Sequence, residues 1–341
     1  MTSAAPPPLP PLSVLDRSLT REGTPPQQVL RETVAFAREA ERLGYHRFWV
    51  SEHHAVPGVA GSAPTVLAAA VAAATSRIRV GTGGVMLPNH QPLVVAEQFG
   101  VLESLHPGRI DMGLGRSTGF TEPVRRALRT GKDAADRFGD QLDELLAYFD
   151  AAAPLPALPA GGLRVPAYVL AVGSGAQLAA ERGLPVVLPA RRESERTAAA
   201  VAEYRSRFRP SRRAEEPHVV LAVNAAAAAT RERASLLQRP EARSTAVSRT
   251  RGVFPPLVPA EEVDESAMGR QEHRRYTEAR EGQLHGTAEE VTAALSALAA
   301  ATEADELLLT LNTYDPADRL DSYRRLAHAA GLPGPASGPG G

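Results

Sequence analysis

Residues 46–61 read HRFWVSEHHAVPGVAG. His46 to Val50 form a mostly apolar run that stops at Ser51, a carboxylate, Glu52, and two adjacent imidazoles, His53 and His54. A short apolar run that ends abruptly in polar groups is the pattern of a buried strand delivering side chains to its C-terminal mouth. Chemistry is expected there. A lone histidine at a strand end can simply cap it by bonding a carbonyl, whereas a pair beside a carboxylate points to a direct role. The Glu-His-His spacing is not that of the zinc helix motifs, and His90 and His106 are the nearest further imidazoles, so no metal is expected.

Outward from this stretch the chain alternates strand and helix. Leu12 to Leu15 is a short strand ending at Asp16. A helix after Thr24 returns Val29, Phe36, Ala40 and Leu43 to one face and is ended by Gly44. Pro64 opens a helix through Ala74, and Pro92 opens another through Leu105. Between them Ile78 to Val80 leads into the run GTGGVML, residues 81–87. Ile110 to Gly115 is a fourth strand, followed by an amphipathic helix around Asp136 to Phe149; Ala151 to Gly162 reads as a surface connection.

Val165 to Val172, Pro185 to Leu188 and His218 to Val223 continue as strands, with a polar helix from Ser194 to Phe208 and an Ala-rich helix after Val223. Pro240 to Gln283 lacks steady periodicity and is expected to be an excursion, partly helical near its end, that could act as a lid. Thr287 caps a helix to Ala300 with Glu290 in the capping-box position, Glu306 to Leu311 is the eighth strand, and Pro316 to Ala330 the last helix.

Eight strands alternating with helices favour an α/β fold of the closed (β/α)8 barrel type, one domain over residues 12–332 with the excursion at 240–283 before the last helix-strand unit. Residues 1–11, rich in Ala and Pro, and 333–341, rich in Gly and Pro, are expected to be disordered tails.

Composition narrows the function. The 341 residues are 43% hydrophobic with a formal net charge of -1, which supports a sizeable core and gives no electrostatic reason to expect nucleic acid. The absence of cysteine excludes disulfides, thiolate metal sites and a cysteine nucleophile. No run approaches the roughly 18 apolar residues of a membrane span, and a cytoplasmic protein acting on small molecules is expected. Lys132 is the only lysine, in an unpromising polar segment for a Schiff base.

In a barrel the active site lies at the C-terminal strand ends. The candidates are Asp16 to Ser18, Glu52 to His54, Gly81 to Met86, Gly115 to Thr118, Gly173 to Ala176 and Asn312 to Tyr314. Three of these are Gly-containing turns, suited to a planar ligand approached by backbone, although a bulge would also explain the glycines. The run at Gly81 lacks the lysine of a P-loop and the G-x-G-x-x-G spacing. Arg116 could bind a phosphate bidentately or form a surface salt bridge, and Gly173, Ser174 and Gly175 lead into a helix N-terminus that favours a phosphate.

Taken together, LSVLDRS, FWVSEHHAVPGVAGSAP, SRIRVGTGGVMLPNHQPLVVAEQF, LHPGRIDMGLGR and ELLLTLNTYDPADRLDSYRRLA resemble, in order and over Leu12 to Leu332, the bacterial luciferase-like flavin-dependent monooxygenases, close to a branch found in natural-product biosynthesis. The resemblance implies a (β/α)8 barrel, often dimeric, that binds reduced FMN and reacts it with O2 through a flavin C4a-peroxide to oxygenate a small organic substrate. It places His53 on the family's catalytic histidine, with Glu52 and His54 beside it, and Arg116 on the flavin phosphate. Gly83 and Gly84 fall where the family often has a non-prolyl cis peptide beneath the isoalloxazine. Gly115 stands where light-emitting members have a reactive cysteine, so luminescence is not implied. The phosphate turn, serine-rich in the family, is shortened to Ala171-Val172-Gly173-Ser174-Gly175.

The expected activity is that of a two-component monooxygenase supplied with FMNH2 by a separate reductase. The alternatives are an oxidoreductase using the deazaflavin F420 and a barrel that binds flavin or a partner without turnover.

Overall fold

A computed structural model describes residues 8–119, 121–171, 173–190 and 194–334. Most of both expected tails, and Val172 of the phosphate turn, lie outside the described residues. The strands are β1 (Leu12–Asp16), β2 (Arg47–Val50), β3 (Arg79–Thr82), β4 (Val85–Met86), β5 (Ile110–Gly115), β6 (Ala167–Leu170), β7 (Val186–Pro189), β8 (Val219–Ala227), β9 (Leu284–Gly286) and β10 (Glu306–Thr310). Eight of them pair in parallel in the order β10-β1-β2-β3-β5-β6-β7-β8, and β8 pairs with β10 to close the ring. The expected (β/α)8 barrel is therefore formed. The two short strands extend it, β4 along β5 and β9 along β8.

The sequence builds these elements with plain devices. Prolines occupy the first turn of the helices Pro26–Arg42, Pro64–Ala74, Pro92–Leu105 and Pro316–Ala329, where a missing amide hydrogen costs nothing. Thr287 and Glu290 form the capping box of helix Ala288–Thr302. The outward faces of the strands pack against the helices in the main core, with Phe36, Phe48, Phe99 and Tyr323 at full or nearly full burial.

The barrel interior is filled differently. Trp49, Tyr168, Val187, Val220 and Leu308 form a small apolar plug. At the level of the strand starts the space is taken by charge: Arg47 bonds Asp111 and Glu306 at 2.9 Å each, Arg79 bonds Asp111 at 2.6 Å, and the Trp49 indole N–H donates to Asp111 at 3.1 Å. Asp111 is fully buried and Glu306 almost so. Each member is retained because its loss would leave a buried charge without a partner.

Three expectations are corrected. The Ala-rich stretch after Val223 is the end of β8, because Ala225 to Ala227 pair with β9, and this pairing outweighs alanine's helix propensity. The helix begins later, at Arg231–Leu237. The excursion is helical at its front as well, over Arg239–Arg251, which opens with Pro240 and is closed by Gly252 at φ +68°. Its buried Ala242 and Ala246 pack with Val258, Val263 and Tyr276. The segment from Ala151 to Gly162 is not purely a surface connection: Ala157 and Ala160 are buried, and a Cβ on Gly100 would come within 2.7 Å of the Ala160 nitrogen.

The excursion reaches back to the strand-end face of the barrel. Gly58 N–H donates to the Phe254 carbonyl at 2.7 Å, Leu257 N–H to Thr20 at 2.9 Å, and Glu22 N–H to Leu257 at 2.9 Å.

Candidate functional site

β2 ends in the cluster that the sequence singled out. Glu52 leaves the strand with its side chain fully buried, and both of its oxygens are engaged. Oε1 lies 2.6 Å from His54 Nε2 and 2.8 Å from His90 Nε2, while Oε2 accepts the Met86 N–H at 2.8 Å. A carboxylate can only accept, so both imidazoles present Nε2–H to it. Burial alone would raise the Glu52 pKa, but the bonds from His54, His90 and Met86 outweigh it and hold the value at about 2. Glu52 thus ties the end of β2 to β4 and to the turn that follows it.

His53 turns the other way. Its backbone N–H donates to the Gly61 carbonyl at 2.9 Å, and its Nδ1 lies 3.3 Å from Ser51 Oγ. Burial, with the Arg17 guanidinium nearby, lowers its pKa to about 4, so the ring is neutral at neutral pH. With Nδ1 taken by Ser51, Nε2 is the ring nitrogen left to face a bound molecule.

These groups border a cavity of 480 Å³ at the C-terminal strand ends. Its walls are Ser51 to His54, Met86, Gly115, Ser117 to Gly119, Leu170, Ala171, Val187, Pro189 and Ala222, and Gly83 and Gly84 lie against it. The Gly83–Gly84 peptide is cis, as the resemblance implied. A Cβ on Gly84 would come within 2.7 Å of the Gly113 carbonyl, a backbone contact that leaves room only for glycine, and one on Gly83 within 2.6 Å of Leu15 Cδ1, a side-chain end that can shift.

Beside the cavity, Arg116 Nη1 donates to Ser174 Oγ at 2.9 Å, which brings together the arginine and the turn expected to hold a phosphate. Gly173 (φ +64°) and Ser174 are exposed on the rim of a smaller cavity of 250 Å³. Gly175 is buried, its Cβ position 3.3 Å from the Ala171 methyl, and it starts a helix of only seven residues, Gly175–Glu181.

Other candidates are spent elsewhere. The Ser18 hydroxyl pairs with Thr33 Oγ1 at 2.9 Å, and the Tyr314 hydroxyl donates to the Glu22 carbonyl at 3.0 Å, so both are held within the protein. Asn312 donates to Glu241 at 2.9 Å. The sequence offers His90 only as one of the nearest further imidazoles and gives no sign of Glu241. The fold brings Glu52, His54 and His90 close enough that their ligand atoms lie within 4.8 Å of one another, a grouping the linear spacing does not show. Their hydrogen bonds account for it as it stands.

With this geometry in place, likeness to other proteins is informative. The Luciferase-like monooxygenase family model matches residues 12–326. A luciferase-like monooxygenase of Escherichia coli (strain K12) is 36% identical over 318 residues, covering 91% of this chain and 94% of the relative. The crystal structure of apo-MsnO8 superposes with a TM-score of 0.86 at 34% identity, covering 96% of this chain and 99% of that one. Two remote structures share the fold over at least 94% of this chain: the oxygenating constituent of 3,6-diketocamphane monooxygenase in complex with FMN (17% identity, TM-score 0.71, 99% of that chain) and an F420-dependent secondary alcohol dehydrogenase (16% identity, TM-score 0.72, 99% of that chain). A family match over residues 12–326, placed on a closed barrel whose strand ends carry Glu52, His53, Gly83 and Gly84 around one cavity with Arg116 beside it, means that the chain belongs to the luciferase-like monooxygenases.

Proposed function

We propose that the protein is the oxygenase of a two-component system, using reduced FMN and O2 to oxygenate a small organic substrate of the natural-product type, with a separate cytoplasmic reductase supplying the FMNH2. The observation that carries this reading is the flat glycine surface of Gly83 and Gly84 in a mostly apolar cavity, with His53 on its wall and the Arg116–Ser174 pair at its edge.

The residues fit the cofactor. Gly83 and Gly84 border the cavity with backbone and no side chain of their own, which suits a planar ring. Arg116 and Ser174, with the amides of Gly173 and Gly175, suit a phosphate. Reduced flavin held there would supply the electrons and activate oxygen; the protein contributes orientation, a dry cavity and proton management. His53, neutral at neutral pH, takes up or returns a proton at Nε2. Glu52, with every acceptor in use, acts as a positioning residue that fixes His54 and Met86.

The test is an anaerobic titration with reduced FMN. Wild type is expected to bind it and to discriminate against F420, and Arg116→Ala to bind it some ten- to a hundredfold more weakly, the worth of one charge-assisted contact to an anion. Selective binding of F420 would replace the oxygenase reading with hydride transfer, and binding of neither would leave a barrel without this chemistry.

Two further features belong to the same proposal. The excursion at 240–283 would act as a lid, since it bonds Thr20, Glu22 and Gly58 on the mouth side of the barrel. Limited proteolysis within it should slow when reduced FMN is bound; an unchanged rate would count against a lid. The outward faces of helices Pro64–Ala74 and Pro92–Leu105 expose Val66, Val94, Val101 and Leu105, the first and last at 69% and 66%. An apolar face of this kind suits a homodimer. Light scattering should give twice the chain mass, reduced to one chain by Leu105→Asp.

A further inference from the structure

The cavity walls come from one arc of the barrel, β2 through β8 by way of β5. The remaining arc, β8-β10-β1, carries a polar cluster that the cofactor reading leaves unused. We propose that Arg17 in this cluster is the binding site for a carboxylate of the substrate, held ready by Glu241 of the excursion helix. The proposal rests on the barrel mouth being the substrate site.

Arg17 directly follows β1, and its Nη2 donates to Glu241 Oε1. The same oxygen accepts Asn312 Nδ2, beyond β10, at 2.9 Å, and Oε2 accepts Asn224 Nδ2 of β8. Gln238 in turn donates to Asn224 Oδ1 and to the Leu284 carbonyl, each at 2.8 Å. Glu241 is 6% exposed, so a buried carboxylate is saturated by donors from three consecutive strand ends.

Arg17 is not saturated. A guanidinium offers five N–H groups, and here Nε is buried without a partner while a quarter of the side chain (24%) remains open. A buried polar atom with no partner costs free energy that a ligand can recover. Among the described residues the other groups nearby are already engaged or uncharged. Asp16 is taken by the Ser18 N–H at 2.7 Å and by Arg319 at 3.3 Å, the Tyr323 hydroxyl donates to the Leu309 carbonyl, and His53 is neutral. Burial lowers the Arg17 pKa to about 10, against the opposing pull of Asp16.

The ligand class follows from the charge count. Glu241 already offsets Arg17, so a dianionic phosphate would be over-charged for the site, whereas a monoanionic carboxylate matches one free guanidinium edge. Position supplies the rest. β1 lies between β10 and β2, and Gly61, whose carbonyl accepts the His53 N–H, has its Cβ position 3.5 Å from the Arg17 carbonyl, so a carboxylate on Arg17 would lie beside the His53 end of the apolar cavity.

The test is isothermal titration calorimetry of the full chain with matched pairs, 3-phenylpropanoate, 4-phenylbutanoate and indole-3-acetate against their primary amides. It is run with and without FMN, so a failed flavin titration does not decide it. Each acid that binds should do so at least tenfold more tightly than its amide, and Arg17→Gln should bring the acids down to the amide level. Arg17→Lys, which keeps the charge but not the fork, should lose most of the preference with an unchanged melting temperature, and it stands in if the glutamine variant does not fold. Equal binding of acids and amides, no binding by any acid, or a preference that survives Arg17→Gln would overturn the proposal.

Discussion

His53→Ala is expected to lower the rate of substrate oxygenation about a hundredfold or more, the usual worth of a positioned proton-transfer group, while reduced FMN binds within about threefold of wild type. The asymmetry follows from where the ring sits. Its backbone is fixed by Gly61 and its Nδ1 by Ser51, so the side chain contributes little to the shape of the cavity floor and much to what happens above it. Rapid-mixing turnover alongside anaerobic FMN titration separates the two effects, and a variant with full turnover would remove the histidine from the mechanism. The pH profile carries a second signature. Burial and Arg17 depress the His53 pKa from 6.5 to about 4. The active neutral ring therefore persists as pH falls from 8 to about 5, and activity is lost through pH 4 instead of near 6.5.

Glu52→Gln is expected to cost about 2–4 kcal/mol of folding stability, read from urea unfolding, together with a fall in turnover. The wild-type carboxylate accepts three N–H groups with two oxygens. An amide has one oxygen and an N–H₂ of its own, so it must oppose at least one of these donors with another donor, in a fully buried position. The pH dependence has a definite sign. The folded-state pKa is held at about 2 against an ordinary 4.5, so the group's contribution is fully present above pH 4.5 and is lost as pH falls from there through 2. The variant should lack that part of the acid slope. Wild-type stability in Glu52→Gln would mean that the network around His54 and His90 is ornamental.

Local signals explain what was legible beforehand. Pro64–Ala74 and Pro92–Leu105 have the bounds that their prolines and apolar spacing announce, and Thr287 with Glu290 caps as its spacing requires. The Glu-His-His stretch could be assigned to a strand end because the apolar run Phe48 to Val50 gives way there to consecutive polar side chains, and β2 is indeed buried on all four residues. The elements that escaped depend on partners far away in sequence. Ala225 to Ala227 are strand only because Leu284 to Gly286 run beside them. Arg239–Arg251 is too rich in arginine to show an apolar stripe, and its small buried face is recognised only against Tyr276 and Val263. His90 reaches Glu52 across 38 positions and Glu241 reaches Arg17 across 224, and neither has a neighbour in the sequence that hints at it.

The charged cluster of Arg47, Asp111, Glu306 and Arg79 gives the barrel an uneven response to heat. The desolvation cost of buried ions falls as temperature rises, whereas the gain per unit of apolar surface levels off. Warming therefore favours the end of the barrel where the strands begin, where four charges share one buried cluster, whereas the far end also depends on the excursion held to Thr20, Glu22 and Gly58 by backbone hydrogen bonds. Close to its melting point the molecule should hold its ring of strands while the mouth loosens, and inactivation should precede loss of the fold.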